Sequence, residues 1–313
     1  MRNGKVVIGT RGSALALWQA RWVEAQIRQR SPSLAVEITV IKTTGDRILD
    51  SPLSTIGGKG IFTKEIENRI LDGSVDLAVH SLKDVPTVLP EGLALSAVCE
   101  REDVRDVFVS HPGKPHRSLD TLPAGAVIAT GSLRRKSQIL SRRPDLTIVD
   151  VRGNLNTRLE KLGESSWDGM ILARAGVVRL GWERRISEVI PTDIILPAAG
   201  QGALALETRE DDEAVKEYVT FLDHRETRLS TTAERSLLRH LEGGCQIPLG
   251  VYGRIEQETL VLEAAIGSLD GKKSVRGRAE GRERPESIGV RLASDLMDRG
   301  GRAILEEIRR ENG

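Results

Sequence analysis

Aromatic residues are scarce here: phenylalanine, tryptophan and tyrosine together make up 3% of 313 residues. That argues against the stacking platforms on which single-stranded nucleic acids are held. Net charge is nearly absent too, with 45 acids against 46 bases, so no chain-wide basic footprint for nucleic acid exists. There are two cysteines, Cys99 and Cys245, neither with a histidine beside it at metal-ligand spacing. Two do not make a disulfide framework. No uninterrupted apolar run approaches the ~20 residues that a membrane helix needs. The opening MRNGKVVIGT holds neither an apolar signal core nor a cleavage site. The expectation is a cytoplasmic protein with reduced thiols and with neither nucleic acid nor membrane as partner. The remainder, 39% hydrophobic and 29% charged, is an ordinary globular composition, long enough for two or three domains.

The run Val6 to Ile8 reads as a buried strand, followed by a Gly-Thr-Arg-Gly-Ser turn. Leu15, Trp18, Trp22 and Ala25 then recur at helical spacing. LAVEITVIKTTGD predicts a second strand ending in a polar loop. IGGKGIFTKEIENRILDGSVDLAVHSLKDVP predicts a Gly-rich loop, a helix stopped at Gly73, and a strand running into HSLKDVP. This alternation implies a parallel sheet with crossover helices. The pattern restarts near residue 126 with AVIATGSLRRKSQIL, then LTIVDVRGNLNTRLEKL and WDGMILARAGVVRLGW, giving a second α/β domain over about 105–195. After Leu222, TTAERSLLRHL is helical and LGVYGRIEQETLVLEAAIGSLDGKKSVRGRAEG alternates short β runs with Gly and Asp-Gly turns. A final amphipathic helix begins near Glu286, completing a small α+β domain.

Both α/β domains place polar and cationic residues at the carboxyl ends of strands, the edge where open α/β sheets bind ligands. The first carries Arg11 and Ser13, then Lys83 and Asp84; the second carries Ser132, Arg134, Arg135, Arg152 and Arg158, with Arg179 further on. Taken singly, each arginine reads more readily as a solvated or ion-paired side chain. Their recurrence at equivalent turns, in a chain of near-zero net charge, predicts a cleft for a polyanion. Arginine grips planar carboxylates with two hydrogen bonds, and helix N-termini add N–H groups and a positive dipole end. His80 reads as a structural histidine and Cys99 as a small buried hydrophobe. Cys245, in EGGCQIPLG, reads equally as a loop thiol or as a nucleophile on a flexible loop.

GTRGSALALWQA, TTGD, GGKGIFTKE, AVHSLKDVP, GSLRRKSQ, VRGNLNTRL, ILARAGVVRLG, LPAAGQGAL and AERSLLRHLEGGCQIPLG occur in this order over nearly the whole chain. In these stretches the chain closely resembles the porphobilinogen deaminase (hydroxymethylbilane synthase) family. The resemblance implies an α/β fold: two periplasmic-binding-protein-like lobes plus a small C-terminal α+β domain. Lobe 1 would span 1–100 and 197–220 with the catalytic aspartate. Lobe 2 would span 105–195 with the carboxylate-binding arginines. The C-terminal domain, 222–313, would carry the cofactor cysteine.

The resemblance also implies a transferase of porphyrin and haem biosynthesis, working as a monomer on the small molecule porphobilinogen. It joins four molecules head to tail with loss of ammonia and releases linear hydroxymethylbilane. The cofactor is a dipyrromethane bound as a thioether to Cys245, with Gly243 and Gly244 giving the loop its freedom. Asp84 matches the catalytic aspartate, expected as one buried carboxylate among many cations. Ser13, Lys83, Asp84, Thr130, Ser132, Arg134, Arg135 and Arg158 are implied at the cofactor. Arg11, Ser13, Lys59, Phe62, Arg152, Arg158 and Arg179 are implied at the substrate, Phe62 against a pyrrole ring. Asp46 is assigned to loop structure or a hinge. Where some relatives have a lysine just before IGGKG, this chain has Thr55, leaving Lys59 as the nearer cation. A non-catalytic two-lobed anion-binding protein would share the lobes and the arginines but would need neither Asp84 nor Cys245. A nucleic-acid binder is disfavoured by the low aromatic content and charge balance.

Overall fold

The computed structural model, which describes residues 4–47, 60, 62–241 and 247–312, divides into two compact units. The first is built from described residues up to Glu102 and from Gly202–Arg228, the second from Asp103–Gln201 and from Leu229 onward.

In the first unit the chain runs through β1 (Lys5–Thr10), α1 (Ala14–Arg30), β2 (Ala35–Val40), α2 (Thr44–Arg47), α3 (Lys64–Leu71), β3 (Leu77–Ser81) and β4 (Leu93–Val98). It leaves through β5 (Asp106–Ser110), β6 (Val127–Ala129), α4 (Leu133–Arg142), β7 (Thr147–Val149), α5 (Leu155–Glu164), β8 (Gly169–Ala173), α6 (Arg174–Arg179) and β9 (Glu188–Ile190). It returns to the first unit with β10 (Leu204–Arg209) and α7 (Glu213–Glu217). The two five-stranded sheets share one plan, β2-β1-β3-β10-β4 and β7-β6-β8-β5-β9. The first three strands of each are parallel, as the alternation predicts. The fourth is antiparallel, so neither sheet is parallel throughout. The reason is connectivity. β10 reaches its sheet after an excursion of a hundred residues, with no local crossover helix, and local periodicity cannot report such a partner.

Strand alternation buries both faces of these sheets. In the first unit Val6, Ile8, Leu77, Val79, Leu204 and Leu206 meet Ala20, Val23 and Ile27 of α1, with Cys99 buried among them. The helical face therefore differs from the expected one: Trp18 and Trp22 are half-buried at its margin and Ala25 is exposed. On the opposite face Ile66 and Ile70 of α3 cover Ala78. Each fully buried large aliphatic contributes about 1.5–3 kcal/mol. In the second unit Phe108 and Ile128 face one core while Val107, Val109 and Met170 face another. Gly169 is required there, because a Cβ would lie 2.2 Å from the Phe108 ring.

The second unit also takes α8 (Arg225–His240) from Leu229 on, β11 (Leu249–Glu256), β12 (Thr259–Gly267), β13 (Ser274–Gly281), α9 (Pro285–Leu296) and α10 (Arg302–Asn312). β11-β12-β13 is an antiparallel meander packed on these helices. The expected single final helix is two helices, because Gly300 takes φ 114° between them, a conformation glycine enters without a Cβ penalty. Asp46, assigned above to loop structure or a hinge, falls in the one-turn helix α2.

Candidate active site

In the first unit, two strand ends supply the polar residues. β1 ends in Thr10, and Arg11 and Gly12 turn the chain into α1. Ser13 caps that helix, its Oγ accepting from the Ala16 N–H at 3.3 Å. β3 ends in Ser81, whose Oγ accepts from Gln19 Nε2 at 2.9 Å. The next turn is anchored from below: Leu82 and Val85 are buried, and the Leu82 N–H donates to Ala203 O at 3.0 Å. With those two side chains inward, Lys83 is half-buried and Asp84 is exposed. This corrects the expectation of a buried carboxylate.

Arg11, Ser13, Gln19, Phe62, His80, Ser81 and Asp84 all line one cavity. The Arg11 guanidinium lies over the Phe62 ring, 4.1 Å from its centre, a cation–π contact that holds the charge in place. His80 is buried, and its Nε2 is 3.1 Å from Glu207 Oε2. The cavity thus joins a cation, a carboxylate, hydroxyl and amide donors, and an aromatic face.

The second unit repeats the strand–turn–helix device. The Thr130 N–H donates to Val149 O at 2.9 Å, and Ser132 caps α4, accepting from the Arg135 N–H at 3.4 Å. Gly131 is obligatory in the turn: a Cβ would lie 2.8 Å from Asp150 Oδ1 and 2.9 Å from Val151 O. Arg134 and Arg135 point inward. Arg134 Nη1 donates to Asp106 Oδ2 at 2.8 Å and to Leu196 O at 2.7 Å. Arg135 donates to the same carboxylate through Nε at 3.1 Å and Nη2 at 2.7 Å, and Gln201 Nε2 adds a bond at 2.8 Å. Burial alone would push the Asp106 carboxyl up, but Arg134 and then Arg135 hold it well below the usual carboxylate range.

The next turn carries Arg152, whose Nε donates to Asp150 Oδ2 at 3.2 Å, and Arg158, whose Nε donates to Gly153 O at 2.9 Å. Asn154 caps α5 there by accepting from the Thr157 N–H. Arg179, half-buried, closes α6. Lys59, Thr55, Gly243, Gly244 and Cys245 lie outside the described residues. Among the described residues, no group of three or more His, Cys, Asp or Glu could hold a metal ion, and no helix is long and apolar enough to cross a membrane.

The sequence-level reading passed over three residues. Asp106 opens the apolar strand DVFVS and is fully buried there, where a charge needs a partner. Gln19 is a polar residue on the buried face of α1. Glu207 sits amid the buried run Leu204–Thr208, where a charge needs a partner.

Each unit by itself offers groups suited to carboxylates: in the first a serine-capped helix start beside Arg11, in the second a serine-capped helix start with the Thr130 hydroxyl and arginines at successive turns. A family model described as porphobilinogen deaminase, dipyromethane cofactor binding domain, matches residues 6–217, and its C-terminal domain model matches 229–298. The chain is 53% identical over 311 residues to a porphobilinogen deaminase of Chlorobium phaeobacteroides strain BS1, covering 98% of each chain. It is 49% identical over 306 residues to that of Desulforamulus reducens, covering 97% of this chain and 98% of the relative. Among solved structures, a Bordetella pertussis BvgS VFT2 domain aligns with a TM-score of 0.41 at 14% identity, over 69% of this chain and 84% of that one.

Proposed function

Because the chain belongs to the porphobilinogen deaminase family, we propose that it joins four porphobilinogen molecules head to tail, losing ammonia at each join, and releases hydroxymethylbilane. Its cofactor is dipyrromethane, held as a thioether on Cys245. When bound, the dipyrromethane supplies the pyrrole carbon to which the first unit is added. The observation that carries the residue-level reading is the single cavity shared by Asp84, Arg11, Ser13 and Phe62.

The substrate's aminomethyl group must leave as ammonia, and the carbon left behind becomes a cation conjugated with the pyrrole ring. Asp84, exposed on the cavity wall, stands where a carboxylate stabilises that charge and assists proton transfer at the leaving nitrogen. Porphobilinogen carries an acetate and a propionate, so every unit brings two negative charges. Arg11 takes one carboxylate, oriented by the Phe62 ring beneath it, and Phe62 presents an apolar face to a pyrrole. Arg152, Arg158, Arg179, Lys59 and Lys83 answer the growing charge, while Ser13, Thr130 and Ser132 donate hydroxyl hydrogen bonds. Arg134 and Arg135 serve the cofactor through the turn they hold. The protein supplies orientation and electrostatics, and the pyrrole supplies the carbon chemistry.

The same proposal divides the labour among three domains. Lobe 1, 1–100 with 197–220, carries Asp84; lobe 2, 105–195, carries the arginine turns; and the domain 222–313 carries Cys245. The chain acts as a cytoplasmic monomer without nucleic acid or membrane. The test is incubation with porphobilinogen while ammonia and hydroxymethylbilane are followed. Both should appear in a four-to-one ratio. Binding of porphobilinogen without ammonia release would overturn the proposal and favour a binding protein.

A further inference from the structure

Behind the cavity wall lies a group of ionisable residues with no place in the mechanism above. His80 and Glu207 are 6% and 0% exposed, and Glu67 is 5% exposed. β3 and β10 pair with His80 opposite Ala205 and Ala78 opposite Glu207. That register sets His80 and Glu207 diagonally on the sheet face covered by α3, where Ala78 packs on Ile66 and Ile70. Glu67, on α3, approaches from above. His80 Nε2 is 3.1 Å from Glu207 Oε2, and this is the side chain of the three that lines the cavity with Asp84. Glu67 Oε1 and Glu207 Oε1 are buried and, among the described residues, find no hydrogen-bond donor.

This is a costly way to stabilise a lobe. Burying an acid costs several kcal/mol even after relaxation, and apolar packing of equal volume serves stability as well or better. Burial raises the Glu67 carboxyl above its ordinary value, and the charge of Glu207 pushes the same way. Two carboxylates and an imidazole are therefore buried close together, one acid favouring its protonated form.

We propose that His80, held by Glu207 and backed by Glu67, accepts the proton released from a pyrrole α-carbon when each new carbon–carbon bond forms. The proposal rests on the reaction assigned above. The substrate's C–N bond breaks with its electron pair going to nitrogen, and an ammonium group leaves as ammonia. The α-carbon of the neighbouring pyrrole bonds to the resulting cation and must then lose its hydrogen as a proton. With Nε2–H donating to Glu207, Nδ1 carries the ring's remaining lone pair. It takes that proton and passes it to the ammonia already released, so that the net loss at each join is one ammonium ion. No oxidant or further reactant is needed. Glu207 and Glu67 are positioning residues, since they act through His80.

The experiment uses holoenzyme of the wild type, His80→Gln and Glu207→Gln, with porphobilinogen carrying deuterium at its unsubstituted α-carbon. Intact mass first establishes that each variant has kept its cofactor. Turnover should fall on the order of 100-fold in His80→Gln and less in Glu207→Gln. Both should show a primary isotope effect on kcat that the wild type lacks, because proton loss becomes rate-limiting. In ¹⁵N-histidine spectra taken before substrate is added, the hydrogen-bonded Nε2–H signal should be present in the wild type and lost in Glu207→Gln. A slowed, cofactor-bearing His80→Gln without an isotope effect overturns the proposal, as does one with wild-type turnover. If His80→Gln has lost its cofactor, the isotope effect in Glu207→Gln decides in the same way. A wild-type chain that releases no ammonia removes the function reading itself, and this proposal with it.

Discussion

Two turns in this molecule are built to one pattern and put to opposite uses. Thr10-Arg11-Gly12-Ser13 and Thr130-Gly131-Ser132 each lead out of a strand and end in a serine that caps the next helix. In the first, the cation sits in the turn itself and faces a cavity, steadied by an aromatic ring. In the second, the cations sit in the first turn of the helix and reach inward to Asp106. One turn presents its charge to a cavity. The other uses charge to fix its own backbone. Arg11 stands two residues before its cap, Arg134 and Arg135 two and three residues after theirs, and that shift of four or five positions decides which.

Asp106→Asn breaks the inward-facing turn. It leaves two buried guanidinium groups half-paired, at a cost of about 3–5 kcal/mol, read as a large fall in Tm. The pH dependence has a definite sign. The folded Asp106 carboxyl lies below its unfolded value of about 3.9, so folding favours its ionised form. That contribution is complete above the unfolded value and drains away as pH falls through the folded one. Denaturation curves at decreasing pH should steepen in the wild type below about pH 4 and flatten in Asp106→Asn.

Asp84→Asn tests the outward-facing site. Turnover should drop about 10²–10³-fold, equivalent to about 2.7–4 kcal/mol of transition-state stabilisation. Tm should hold, because Asp84 is exposed and its turn is anchored by Leu82 and Val85. Kinetics and thermal unfolding of the same preparation check both halves.

The glycines give the smallest and sharpest contrast. Gly131→Ala forces a methyl against Asp150 and the Val151 carbonyl at under 3 Å and should cost about 1–3 kcal/mol. Gly12→Ala meets only Val40 Cγ1 at 3.3 Å and should change stability by less than about 0.5 kcal/mol. Equal losses in chemical denaturation would mean that the two turns are not built as described.

Much of this was legible in the residues. Strand runs at Val6–Ile8 and Leu77–Val79, the serine caps and the three-strand parallel cores all follow from local periodicity and cap chemistry. The antiparallel strand Leu204–Arg209 did not, since its partners lie more than a hundred residues away in sequence. Nor did the inward course of Arg134 and Arg135. That depends on Asp106, and nothing local announces that an acid 28 residues upstream will be buried beside them. The outward turn of Asp84 was missed because the anchoring roles of Leu82 and Val85 emerge only with the tertiary fold. His80 read as a structural residue, and its place on the cavity wall became visible only once β3 and β10 were paired.

The central claim is a covalent dipyrromethane on Cys245 from which the tetrapyrrole grows. It is tested most directly by the intact mass of the purified chain and of Cys245→Ser, before and after incubation with porphobilinogen. The account predicts a mass excess of two linked pyrroles on the wild type, discrete further additions with substrate, and neither on the variant. A wild-type chain that remains at its bare sequence mass after incubation, or a serine variant that carries the same excess, would contradict it.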